Sequence, residues 1–143
     1  MTSSIHAYDH AWRLTKTGVI DVDTDELRIA LVTSAYSPNP AHTQWADVSA
    51  FEVAAGNGYT TGGARLLAPV VTNSKITYTN PTWPSLTKVF RYGVCRAVKT
   101  VAGLTDPLLF WVLFNTEPAD EIQNSANFEI KINPTDGLFY RPG

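Results

Sequence analysis

Leu108-Leu-Phe-Trp-Val-Leu-Phe114 is an unbroken apolar run opened by Pro107. A strand with one face in water alternates polar and apolar residues, and this one does not. At a period of two, Leu108, Phe110, Val112 and Phe114 take one face, and Leu109, Trp111 and Leu113 take the other. Both faces therefore need cover. The outer face is covered either by a helix or loop of the same chain, with the N-terminal helix as candidate, or by another chain. Large aromatic residues such as Trp111 are enriched where chains meet.

Outward from this run, the sequence reads as short strands separated by turn formers. Leu27, Ile29 and Leu31 alternate with Arg28 and Ala30 as a half-buried strand. Thr43–Val53 carries Trp45, Val48 and Phe51 at helical spacing and reads as a short helix or an irregular loop. Gly56–Gly63 is a turn region in which Asn57-Gly58 is the strongest signal. Arg65–Thr72 and Lys75–Thr79 form a predicted hairpin around Asn73-Ser74. Pro81 and Pro84 break the chain around Trp83, and a long strand is expected over Lys88–Lys99. Phe128, Ile130 and Ile132 alternate with Glu129 and Lys131, and Asp136-Gly137 turns the chain into Leu138-Phe-Tyr140.

Before the strands, Ile5–Thr17 is the helix candidate. Tyr8 and Trp12 stand one turn apart, and Gly18 is placed to end the helix in a left-handed cap. Asp21, Asp23 and Asp25 follow as a polar connector. The expectation is one mostly-β domain over residues 1–143: an antiparallel, jelly-roll-like β-sandwich of about seven or eight strands with an N-terminal helical arm at about 5–17.

Composition narrows the function classes. The chain has 143 residues, enough for one core without staples. Charged residues make up 17%, against about 25% in a typical domain, and a lightly charged surface favours association. The formal net charge is −2, with no basic run, so direct nucleic-acid binding is not expected. No apolar run reaches the length of a membrane span. The N-terminus lacks the charged and apolar regions of a secretory signal, which points to synthesis in a cytoplasm. Cys95 is the single cysteine, so no internal disulfide forms. It reads as a small buried hydrophobe inside its strand.

Chemistry-bearing patterns are sparse. His6 and His10 are four residues apart on the predicted helix, a spacing that suits a metal. However, Ala7 stands where the helical zinc motif carries glutamate. Asp21-Val-Asp-Thr-Asp-Glu26 resembles the start of a calcium loop, but Glu26 and Val32 occupy the positions where an EF-hand needs glycine and glutamate. A solvated connector is the plainer reading, with a calcium site of another type as the alternative. No nucleophile motif is present, and Asp47, Glu52, Asp120 and Glu121 are scattered acids that nothing selects. The expectation is a protein that is not an enzyme, with no cofactor and no metal. Trp45, Tyr59, Trp83 and Tyr140 lie in or near predicted loops, where exposed rings could stack on sugars. A carbohydrate-binding module is therefore a competing class.

The order of segments carries a resemblance. A helix ending in Gly18 and an Asp-rich connector lead to Asp25-Glu-Leu-Arg-Ile-Ala-Leu-Val-Thr33, Trp45-Ala-Asp-Val-Ser49 and the Gly-Tyr-Thr-Thr-Gly-Gly segment at Gly58–Gly63. Thr82-Trp83, Arg91-Tyr-Gly-Val94 and Pro107-Leu-Leu-Phe-Trp-Val112 come next, and Phe128-Glu-Ile-Lys-Ile-Asn-Pro-Thr-Asp-Gly-Leu-Phe139 closes the series. From Tyr8 to Phe139 the chain resembles small virion structural proteins of tailed bacteriophages, some of which are capsid cement or decoration proteins. The resemblance implies a β-sandwich on the capsid exterior that clamps the major capsid protein as a dimer or trimer. Its effect would be multiplied because each added contact is intramolecular. A tail, neck or fibre-associated component is the alternative. Neither reading involves a membrane. The expected contact residues are His6, Tyr8, Trp12, Tyr59, Leu109, Trp111 and Leu113.

Overall fold

A computed structural model describes residues 4–72, 75–115, 119–131 and 139–140. The chain begins with β1 (Ser4–Ala7), helix α1 (Ala11–Lys16) and β2 (Leu27–Val32). Two short 3-10 turns, Trp45–Asp47 and Ser49–Phe51, precede β3 (Ala64–Arg65), β4 (Leu67–Val71), β5 (Lys75–Thr79) and β6 (Thr82–Phe90). β7 (Tyr92–Ala97), the small hairpin β8 (Thr100–Val101) and β9 (Leu104–Thr105), β10 (Leu108–Leu113), β11 (Glu121–Glu129) and β12 (Phe139–Tyr140) complete it. The fold is mostly β, with open antiparallel sheets arranged as a sandwich and one short helix, as the sequence predicts.

The principal sheet has the order β1-β10-β7-β2-β3, antiparallel throughout. The β6–β11 ribbon and the β12-β5-β4 sheet form the rest. The main core lies between Leu27, Ile29, Cys95 and Phe110 of the principal sheet, with Phe114 just past the end of β10, and Tyr78, Trp83, Leu86 and Phe90 of β5 and β6. Ala11 and Leu14 of α1 pack into this same core.

A second apolar layer covers the opposite face of the principal sheet. Val32, Val94, Leu108 and Trp111 lie there beneath Tyr8, Tyr36 and Val48, with Trp45 and Phe51 packed alongside. The cover for the Leu108–Leu113 strand is therefore the Thr33–Val53 loop with Tyr8. The helix lies on the other side. A sheet buried on both faces explains why β10 lacks polar alternation.

Four expectations need correction. The N-terminal arm is not helical over about 5–17. Ser4–Ala7 pairs as a strand with β10, Ser4 opposite Leu113 and Ala7 opposite Phe110, and the helix occupies only Ala11–Lys16. An edge of β10 was open, and β-branched Ile5 fits a strand better than a helix. Gly18 does adopt the left-handed conformation, with φ +77°.

The strand expected over Lys88–Lys99 is two strands meeting at Arg91. β6 leaves for the ribbon and β7 enters the principal sheet. The Arg91 amide donates to Val32 O at 2.9 Å, and its Nε pairs with Asp120 at 3.1 Å. Such corners are where a chain passes between packed sheets.

Pro84 does not end a strand, because β6 runs through it. Ser85 sits at φ +54°, the pairing skips from Trp83 to Leu86, and proline is tolerated where the ladder is interrupted.

Finally, β10 contains a bulge. Leu108 pairs with Arg96 and Phe110 with Cys95, leaving Leu109 as the extra residue. Leu109 therefore turns into the main core beside Phe110, while Leu108 joins Trp111 on the other face. Among the sequence landmarks, Asn73-Ser74, Ile132, Asp136-Gly137 and Leu138 lie outside the described residues.

Candidate interaction surface

The expected contact residues divide sharply. Trp12 is 67% exposed on α1, and His6 is exposed on β1 with its ring stacked on Trp111 at 5.1 Å and 21°. Leu113 is half-buried. Tyr8, Tyr59, Leu109 and Trp111 are core residues and are not available to a partner in this chain.

Each buried residue has a physical reason. The bulge turns Leu109 inward. Trp111 lies under the Thr33–Val53 loop, with Tyr8 tilted against it at 4.9 Å. The Tyr8 hydroxyl meets that of Tyr36 at 2.8 Å, and Tyr36 reaches His42 Nδ1 at 2.9 Å. Burial and the hydrogen bond to Tyr36 push the Tyr8 phenol well above its usual range. Tyr8 thus fastens the end of β1 to the covering loop.

Tyr59 is pinned in the same way. Asn57 and Gly58 both have positive φ in a two-residue turn closed by paired hydrogen bonds between Gly56 and Tyr59. The turn directs Tyr59 into the core. Its hydroxyl donates to Glu52 Oε2 at 2.5 Å and accepts from the Leu31 amide at 3.2 Å. The Gly62 amide also donates to Glu52, at 2.7 Å. Burial first, then Glu52, raises the Tyr59 phenol above its usual range. The Gly-rich segment is therefore held against the protein at this point.

Arg96 is the buried cation beside this network. Its guanidinium lies 4.2 Å over the Trp45 ring, and its Nη1 donates to Gly62 O at 3.3 Å. Its Nε is buried without a hydrogen-bond partner among the described residues, 4.0 Å from Asp106 Oδ2. Burial pulls its pKa below the usual value, against the pull of Asp106 and Glu52. Arg96 ties the Trp45 turn and the Gly-rich segment to β7.

The ligand-type patterns resolve into structural roles. His6 and His10 do not share a helix face: His6 is in β1, while His10 precedes α1 and contacts Leu108 O through Nε2 at 2.8 Å. The Asp21 carboxylate accepts the Asp23 amide at 2.9 Å, and Asp25 accepts the Asp21 amide and the Lys99 ammonium, each at 2.8 Å. Among the described residues no group of three or more His, Cys, Asp or Glu is placed to hold a metal ion. Cys95 is fully buried, and burial pushes its thiol up. No described helix is long and apolar enough to cross a membrane.

Three of the four rings considered for sugar stacking have partners within the chain. Trp83 is buried against Phe128 at 6.0 Å, Tyr59 is in the core, and Trp45 faces Arg96. The side chain of Tyr140 lies outside the described residues.

The surface instead presents aliphatic residues that sequence reading passed over. Leu67, Val70 and Val71 on β4 are each more than half exposed, and β4 is the edge strand of its sheet. Val89 and Ile122 stand directly opposite one another on the outer face of the ribbon, 50% and 72% exposed. Ile122 had a signal: it is an isolated aliphatic among Glu121, Gln123 and Asn124. No family model, curated protein or solved structure matches the chain.

Proposed function

We propose that this chain is a structural protein of a tailed-phage virion, a cement or decoration protein that binds the outside of the major capsid shell as a small oligomer. The observation that carries the reading is the set of aliphatic side chains left in water on β4 and across the ribbon. Apolar surface gathered on strands marks a site of protein contact. The resemblance over Tyr8 to Phe139 supplies the kind of assembly.

The edge strand β4 fits this role. Pro69 lacks an amide hydrogen and Ala68 is bulged at φ +53°, features that blunt an edge against uncontrolled strand pairing. β4 therefore offers side chains to a partner more readily than backbone. Adding the purified chain to particles assembled without it, and counting bound copies, tests the reading. Saturation at copy numbers comparable to those of the shell protein is the expected result. A few copies per particle would move the chain to the tail or neck, and no binding would contradict both.

A further inference from the structure

Tyr8, Tyr36 and His42 join end to end beneath the covering loop. The two hydroxyls lie 2.8 Å apart, and that of Tyr36 lies 2.9 Å from His42 Nδ1. Both tyrosines are only 1% exposed, so neither hydroxyl can turn to water for a missing partner. No other acceptor for either hydroxyl is present among the described residues.

Counting hydrogens fixes the state of the imidazole. The row has two links and two phenolic hydrogens. With Nδ1 bare, Tyr8 donates to Tyr36, Tyr36 donates to His42, and every hydrogen is used. A hydrogen on Nδ1 puts three hydrogens on two links and leaves one buried phenol without an acceptor. The closed row therefore accepts only the neutral imidazole with its hydrogen on Nε2.

Charge pulls the other way. Asp47 stands on the turn that follows, its carboxylate accepting the Thr43 and Gln44 amides at 3.0 and 3.3 Å. Its charge acts on His42 as well as on Tyr8 and Tyr36. Also facing the row are Tyr92 of β7, edge-on to Tyr36 at 5.9 Å, and Asp9, whose amide donates to Pro40 O at 2.9 Å. His42 is half-buried, so solvent protons reach it. An imidazolium thus has an attractive partner in Asp47 and an obstructed one in Tyr36.

The loop has fixed points on either side of this row. The Thr33 amide donates to Phe51 O at 2.9 Å, and Thr43 O accepts the Leu108 amide at 2.9 Å. Between them, residues 33–42 are tied to the rest of the chain by the Tyr36 packing, the row itself and the Asp9–Pro40 bond. We infer that His42 is a pH-operated latch on this segment. Neutral, it accepts from Tyr36 and holds residues 33–42 on the outer face of the principal sheet. Protonated, it leaves Tyr36 for Asp47, and the segment lifts from Tyr8 between its two fixed points. The latch operates whatever the chain adheres to.

The test follows the ¹⁵N-labelled full chain by NMR between about pH 8 and about pH 5, a span that carries an ordinary imidazole through its titration near about pH 6.5. Exchange protection of the Asp9 amide and of amides in residues 34–42, corrected for intrinsic rates, should fall about tenfold or more on acidification. Amides of β7 should keep theirs. At the alkaline end, the ring nitrogens of His42 should show a bare Nδ1 and a hydrogen on Nε2. His42→Gln offers Tyr36 an acceptor that does not titrate, and should keep the segment protected throughout while His6 and His10 still titrate. A hydrogen on Nδ1 at the alkaline end, or protection in the parent that does not change with pH, would overturn the latch. So would loss of protection in β7 together with the segment, or a pH response that survives in His42→Gln. The tautomer and the parent's exchange need no variant and decide the matter even if His42→Gln does not fold.

Discussion

Ile122 lies directly across from Val89 in the β6–β11 ladder, and both side chains point into solvent. Cross-strand pairs of this kind usually stabilise a sheet by covering one another. Here the pair forms a small apolar platform on the far side of the ribbon from Trp83, Leu86 and Phe90. Replacing both by lysine should change unfolding free energy by no more than about 0.5 kcal/mol each, as for surface positions generally. The same variant should bind particles at least tenfold more weakly. Chemical denaturation and particle co-sedimentation measure the two effects separately. A loss of stability with unchanged binding would make the pair structural.

Tyr59→Phe separates a core tyrosine from a contact tyrosine. The substitution keeps the ring but removes the acceptor for the Leu31 amide and the donor to Glu52. Leaving a buried amide unpaired costs about 1–3 kcal/mol. Urea unfolding should show a loss of that size, with particle binding unchanged at temperatures where the chain stays folded.

Two glycines in similar backbone conformations should respond very differently to alanine. Gly63 has φ +78°, and a Cβ there would lie 2.1 Å from Ile29 O, where the chain crosses β2. Gly103, in the β8–β9 turn, has φ +76° with nothing within 4 Å. Gly103→Ala should cost only the left-handed penalty of about 1–2 kcal/mol. Gly63→Ala requires backbone to move and should cost at least about 4 kcal/mol. Thermal melts of the two variants make the comparison.

Asp25 gives the stability curve an acid limb. Burial alone would raise its carboxyl pKa, but the hydrogen bond and charge of Lys99 and the Asp21 amide outweigh this and hold it below the usual value. A depressed folded-state pKa contributes stability that is fully present above the unfolded value of about 3.9. That contribution is lost as pH falls through the folded value. Asp25→Asn should therefore be less stable than the parent near neutral pH, with the gap closing as pH drops below about 4. A constant gap across pH 2–7 in urea titrations would contradict this assignment.

Much of the fold was legible because its signals are local. The alternation at Leu27–Leu31, the Asn57-Gly58 turn, the strands flanking Asn73-Ser74 and the double-sided run at Leu108–Leu113 each state a period or a turn directly. The departures depend on partners far away in sequence. Nothing local marks Arg91 as the corner, since apolar residues alternate on both sides and only pairing with Val32 and Asp120 divides them. The bulge at Leu109 is likewise set by register against β7. For the surface, aromatic character misled. Tyr8, Tyr59 and Trp111 find hydrogen-bond or stacking partners inside, while small aliphatics on edge strands remain outside.

The central claim is adhesion to a shell. Cryo-electron microscopy of particles assembled with and without the chain tests it most directly. The account predicts icosahedrally ordered density bridging major capsid subunits, present only with the chain, with the β4 and ribbon faces turned toward the shell. Density confined to a single vertex, or no added density anywhere on the particle, would contradict it.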